Sequence, residues 1–331
     1  MATTKQWIAG ARPRTLPMAV APVLIGAAAV FAQPYRFNWF AGEGGPEEIF
    51  AGIIGLQLGV ALLALIVSLA LQVGVNYAND YSDGVRGTDD ERVGPMRLTG
   101  SGAAAPRQVK AAAFGSFGVA GLAGLIIVVL TEQWWLIGAG ALCVLAAWWY
   151  TGGSKPYGYM GLGEVMVFVF FGLVATLGTS YALVEAASAR GVTVGFPLAE
   201  ALVGAVSHGL IASALLMANN VRDIPTDRES GKMTLAVRLG ETRARRSYVL
   251  MMGLAAALPL VLVWSSPLFL VAALGLLGLW RSSRTPGGAL HTMLDPGAVG
   301  PALIPVLQRT GVNGILFALM YSTLLIGAGL S

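Results

Sequence analysis

The sequence predicts an all-α membrane protein, a bundle of about nine transmembrane helices around a central cavity that opens to the cytoplasmic side. Three observations lead there. Of 331 residues, 56% are hydrophobic and 11% charged, where a soluble domain carries about 25% charged residues. Nine apolar runs approach the roughly 20 residues that a helix needs to cross the hydrocarbon. When the intervening loops are assigned alternately to two sides, all but two of the 21 Lys and Arg fall on one of them; the exceptions are Arg36 and Arg190. The positive-inside rule makes the basic side cytoplasmic, with the N-terminus on it and the C-terminus outside, as expected for a multi-pass protein of the cell membrane. The net charge of +4 then belongs to topology, and no nucleic-acid partner is inferred.

The first run, 14–32, follows Lys5, Arg12 and Arg14, and Pro13, Pro17 and Pro22 mark it as a permanent helix rather than a cleaved leader. The second is 51–79. The third and fourth, 110–130 and 133–151, follow closely; Trp134, Trp135, Trp148 and Trp149 flank the fourth as interfacial anchors, and its Cys143 reads as a small apolar residue. The fifth, 163–185, opens on Glu164, a helix-capping acid with a lesser claim as a base. The sixth, 199–221, carries His208, read as an interhelical hydrogen-bonding residue. The seventh and eighth, 247–264 and 266–281, are divided only by Ser265, Ser266 and Pro267: a tight hairpin or one segment split in two. The ninth is 311–330. Residues 1–331 are read as one domain, with cytoplasmic cap loops at 80–109, 222–246 and 282–310 that are long enough to carry function. The third of these, with its prolines and an apolar stretch at 302–307, is expected to cap the bundle or lie at the interface.

The first two loops open on matching motifs, Asn76-Tyr-Ala-Asn-Asp80-Tyr-Ser-Asp83 and Asn219-Asn-Val-Arg-Asp223-Ile-Pro-Thr-Asp227. Residues four apart share a helix face, and Asn76, Asp80 and Asp83 span about 60° of arc on an ideal helix. Carboxylates near bilayer depth are costly and mark function by default. Mg²⁺ takes oxygen ligands and needs only one or two carboxylates when phosphate and water complete its shell. Two facing clusters, Asn76, Asp80 and Asp83 with Asn219, Asp223 and Asp227, therefore suit two Mg²⁺ ions around a diphosphate. Asn76 and Asn219 can equally hydrogen-bond between helices. Pro225 is expected to kink or unwind the second motif. Asp89, Asp90 and Glu91 read as a solvated face. Arg86, Arg92 and Arg97 follow the first motif, and Arg222, Arg228, Lys232 and Arg238 follow or overlap the second; Arg forks phosphate oxygens and Lys supplies a point charge. Lys155, the one charge in its short loop, is a further phosphate candidate.

At these residues the chain resembles the UbiA superfamily of intramembrane aromatic prenyltransferases. It is most similar to the branch that acts on 1,4-dihydroxy-2-naphthoate in menaquinone synthesis, through Trp7-x2-Gly10-Ala-Arg-Pro-Arg14, the two Asp motifs, Arg92-Val-Gly-Pro95, Gly161-Leu-Gly-Glu164 and Gly231-Lys-Met-Thr-Leu-Ala236. The superfamily's second aspartate commonly stands four residues after the first; that position is Gly84 here, and Asp83 comes one earlier. The resemblance implies Mg²⁺-dependent transfer from a polyprenyl diphosphate, with loss of CO₂ and diphosphate and the tail lying in membrane lipid. It makes Asp80, Asp223 and Asp227 metal-binding and, with Asp83, catalytic, leaves open whether Asp83 ligates metal directly, sets Lys155, Lys232 and Arg238 near the diphosphate, where Arg86 and Arg222 are further candidates beside the motifs, and offers Arg12 and Arg14 to the acceptor carboxylate. Tyr77, Tyr81, Tyr150 and Tyr157 are candidates for facing the allyl cation. The competing readings are another acceptor within the superfamily, a cation transporter built on the same acids, or a lipid phosphotransferase; transport would spread acids through the bilayer depth, whereas these gather at one face, and a phosphotransferase would need its acidic motif within one stretch, whereas more than a hundred residues separate these two.

Overall fold

The computed structural model describes residues 2–37, 46–87, 96–271, 274–275, 283–285 and 287–329. Among them, six helices are long and apolar enough to cross a membrane: Glu47–Arg86, Pro106–Thr131, Gly163–Ser188, Leu198–Arg222, Glu241–Leu262 and Gly300–Gly329. A seventh crossing forms if Thr4–Thr15 and Pro17–Phe31, bent by 49°, make one span. The expected fourth span is a shorter apolar helix, Leu136–Trp149, and the expected eighth, 266–281, lies partly outside the described residues. The helical membrane bundle stands; the number nine is not established by it.

Several boundaries differ from the sequence reading. The second helix runs 41 residues, from Pro46 to Arg86, so Asp80 and Asp83 belong to continuous helix instead of opening a loop. The loop 222–246 holds two short helices, Ile224–Glu229 and Leu235–Leu239. The final helix begins at Ile304, inside the expected third loop. A two-stranded antiparallel pairing, Tyr35–Phe37 with Val192–Val194, joins two segments that the charge pattern assigns to the outer side. Three-residue strands have too short an alternation to show in a sequence.

The described part of the third expected loop is pinned by one buried arginine. Arg245 donates to the carbonyls of Met293 (2.8 Å), Asp295 (3.2 Å) and Ala298 (2.6 Å), and to Glu241. This seats Leu290, Met293 and Leu303 in one apolar cluster with Met217, Val221, Ile224 and Val237, beneath the second Asp motif. Burying a guanidinium is tolerable only because its donors are satisfied.

The Gly163–Ser188 and Leu198–Arg222 helices cross at glycine. A Cβ on Gly172 would stand 2.7 Å from the Gly209 Cα and 2.8 Å from the Ala205 carbonyl oxygen, and the backbone there is π-helical over Phe168–Val174. Small residues let helices approach this closely in membranes. Gly172→Ala is expected to destabilise the bundle by about 1–3 kcal/mol, read as a lowered thermal midpoint of the detergent-solubilised protein; an unchanged midpoint would show that the crossing yields freely.

Candidate active site

The first motif is held by its neighbours before any ligand is considered. Asn76 donates to the Ala11 carbonyl (2.9 Å) and to Thr15 (3.2 Å), and accepts from Gln72 (3.2 Å). Tyr77 donates to the Trp7 carbonyl at 2.9 Å. These contacts fold the N-terminal segment over the second helix. Asp80, 1% exposed, accepts the backbone N–H groups of Leu98 (2.7 Å) and Thr99 (2.8 Å), one on each oxygen. Asp83, also buried, accepts the Tyr159 hydroxyl at 2.6 Å and faces Arg97 at 3.5 Å.

Position 84, where the resemblance expects the second aspartate, has no room for a side chain in this structure. A Cβ on Gly84 would lie 2.5 Å from Thr99 Cγ2 and 3.2 Å from the Gly100 nitrogen. The loop that caps Asp80 thus occupies the space an acid at 84 would need.

The second motif breaks where Pro225 predicts. The Leu198–Arg222 helix stops, Asp223 caps it with φ −95° and ψ 5°, and Pro225 opens the next short helix. Arg222 grips Asp223 through two bonds, Nε to Oδ1 at 2.6 Å and Nη2 to Oδ2 at 2.7 Å, and also donates to Asn219 Oδ1 at 2.8 Å. Thr234 donates to Asp227 at 3.5 Å. The Lys232 N–H donates to the Asp227 carbonyl at 2.7 Å, closing the turn that brings the lysine back over the motif.

The two motifs meet at Lys232. Its Nζ lies 4.0 Å from Asp83 Oδ2 and 3.9 Å from Asp227 Oδ1, so one ammonium is shared by acids from separate halves of the chain. The Tyr159 ring lies beneath it at 5.0 Å and takes the Arg86 guanidinium at 5.2 Å; the negative ring face favours both cations. Among the described residues no three His, Cys, Asp or Glu side chains gather as a metal cage. The donors present are oxygens only, and the ammonium marks a point where positive charge is held between two carboxylates. This fits a hard divalent cation whose shell substrate phosphate and water complete, and does not fit a cage made by protein alone.

The remaining expected residues divide. Arg86 donates to the carbonyls of Thr151 and Gly153, holding that turn beside Tyr159. Arg222 is committed to Asp223 and Asn219. Arg238 is exposed, bonds the Met233 carbonyl at 3.2 Å and lays its stem where a Cβ on Gly161 would be. Lys155 and Arg14 are exposed, and Arg12 is half-buried in a left-handed turn, φ 53°. Asp89, Asp90, Glu91 and Arg92 through Pro95 lie outside the described residues. Of the tyrosines, Tyr81 stacks on Trp148 at 6.2 Å and Tyr150 packs against Tyr157 at 5.5 Å. Tyr157 donates to the Ala146 carbonyl at 2.8 Å, and burial raises its pKa, so it stays protonated. His208 bonds the Met18 carbonyl of another helix at 3.1 Å. Tyr159 and the amides of Leu98 and Thr99 were not singled out by the sequence: a loop tyrosine follows no periodicity, and backbone N–H groups have no signature.

The family model described as the UbiA prenyltransferase family matches residues 19–285. The chain is 45% identical over 319 residues to the 1,4-dihydroxy-2-naphthoate octaprenyltransferase of Mycobacterium tuberculosis (strain ATCC 25618 / H37Rv), covering 96% of each. It is 46% identical to the enzyme of that description from Mycobacterium leprae (strain TN), covering 99% of each. Among solved structures it is similar to a UbiA homolog from Archaeoglobus fulgidus bound to DMAPP and Mg²⁺, with TM-score 0.57, 17% identity and coverage of 97% of this chain and 99% of that one. At that identity the likeness concerns the fold alone.

Proposed function

The chain belongs to the UbiA prenyltransferase family, and from that premise we propose that it transfers a polyprenyl group from polyprenyl diphosphate to 1,4-dihydroxy-2-naphthoate, releasing diphosphate and CO₂ and giving demethylmenaquinol. It is a multi-pass membrane prenyltransferase. The observation that carries the reading is the shared position of Lys232 between Asp83 and Asp227. In this reading residues 1–331 work as one domain, with the N-terminus and both motifs cytoplasmic, as the charge asymmetry supports.

Asp80 and Asp83 on one side, with Asp223 and Asp227 on the other, would hold Mg²⁺, read here as two ions. Asn76 and Asn219 steady the helices that carry them. Mg²⁺ held there would neutralise charge on the departing diphosphate. Lys232, sitting at the junction, exchanges its carboxylate contacts for phosphate oxygens, and the Tyr159 face keeps its ammonium in place. The allylic C–O bond breaks with its electron pair leaving on diphosphate. The naphthoate ring supplies the pair for the new C–C bond, and the pair from the C–CO₂ bond returns to the ring as CO₂ departs. The apolar bundle keeps water from the allyl cation, and Arg12 and Arg14 attract the acceptor carboxylate.

The test is direct. Full-length protein in lipid, given Mg²⁺, an all-trans polyprenyl diphosphate and 1,4-dihydroxy-2-naphthoate, is expected to form the prenylated naphthoquinol with one CO₂ per product, and excess EDTA is expected to stop it. Consumption of a different aromatic with the naphthoate ignored would overturn the acceptor while leaving prenyl transfer intact.

A further inference from the structure

Glu164 is 4% exposed, and the mechanism above gives it no part. One carboxylate oxygen accepts the Asn220 amide at 2.9 Å, and its backbone carbonyl accepts the Ser213 hydroxyl at 2.8 Å. The other oxygen, Oε2, is shut from solvent and has no hydrogen-bond partner among the described residues. A buried acceptor without a donor is costly, and an ionisable group at a membrane helix terminus marks function by default. A purely structural role would be served as well by glutamine, which can accept from Asn220 in the same way.

The surroundings say what kind of donor is missing. Asn220 adjoins Asn219 of the second motif. A Cβ on Gly163 would stand 3.5 Å from the Tyr150 hydroxyl, and Tyr150 lies within electrostatic reach of Glu164, Asp83 and Arg12 together. Glu164 thus shares the neighbourhood of Tyr150 with an acid of the first motif and with one of the arginines offered to the acceptor carboxylate. We propose that Glu164 is an acceptor-binding residue, whose Oε2 takes a hydrogen bond from a ring hydroxyl of the aromatic acceptor and so selects hydroxylated rings. This rests on the function proposed above.

Glu164→Gln in the full chain, reconstituted in lipid, tests it. The KM for 1,4-dihydroxy-2-naphthoate is expected to rise at least about tenfold, the usual scale for a hydrogen bond to a charged group, with the KM for polyprenyl diphosphate unmoved. The two monohydroxy-2-naphthoates, lacking the 1- or the 4-hydroxyl, serve as inhibitors. Wild-type protein is expected to bind one of them about tenfold more weakly than the dihydroxy acid, and the variant to lose that discrimination. If both KM values rise together, or the variant discriminates as wild type does, Glu164 only packs helices and the inference is overturned. Wild-type protein that prenylates another aromatic and ignores the naphthoate would overturn the acceptor assignment itself, and the inference with it.

Discussion

Turnover by Asp83→Ala or Asp227→Ala is expected to fall by at least about 10²–10³-fold, the scale on which enzymes lose rate when one preorganised charge-stabilising group is removed. Both acids face Lys232 from opposite halves of the chain, so either deletion leaves the ammonium with one carboxylate and the bundle folded. The rate, measured at saturating substrates, is to be set beside helical content and elution profile, both of which should match the wild type. Raising Mg²⁺ should recover part of the lost rate, since a missing ligand weakens ion binding before it abolishes it. Near-normal turnover in either variant would remove the basis for placing the leaving group here.

Asp223→Ala has a different consequence, because stability falls along with activity. Asp223 takes two N–H groups of Arg222, whose side chain is 3% exposed. Deleting the acid strips a buried guanidinium of its bidentate partner and leaves it the Asn219 oxygen. Breaking a buried pair in this way costs about 3–5 kcal/mol, so the thermal midpoint in detergent should drop well beyond that of Asp83→Ala. Equal midpoints for the two variants would mean that water reaches Arg222.

Much of this was legible because charge is so scarce in the sequence. Asp80, Asp83, Asp223 and Asp227 stand out at the ends of apolar runs, and Pro225 announces the break at Asp223. Lys232 stands out in sequence only as one of several cations after the second motif, since its return over the motif depends on the turn that follows Asp227. Arg222 could not be placed: neighbouring residues do not share a helix face, and only the change of backbone at Asp223 lets the two side chains meet. Arg243, Arg245 and Arg246 look alike in sequence, yet Arg245 is the one buried, against the carbonyls of Met293, Asp295 and Ala298. Gly84 shows the reverse case, a departure visible in the sequence at a position that the Thr99 side chain, 15 residues away in the chain, leaves no room to fill.

The length of the second helix has a bearing on how a lipid and a water-soluble acid come to meet. Forty-one residues rise about 60 Å, twice the roughly 30 Å of hydrocarbon. Counting from Val75, the last apolar residue before the motif, Asp80 lies about 7 Å and Asp83 about 12 Å farther along the axis. In the function proposed above, a site on this extension would let the isoprenoid keep its tail among the acyl chains and lift only its phosphorylated end toward the headgroups, where a water-soluble aromatic acid can meet it.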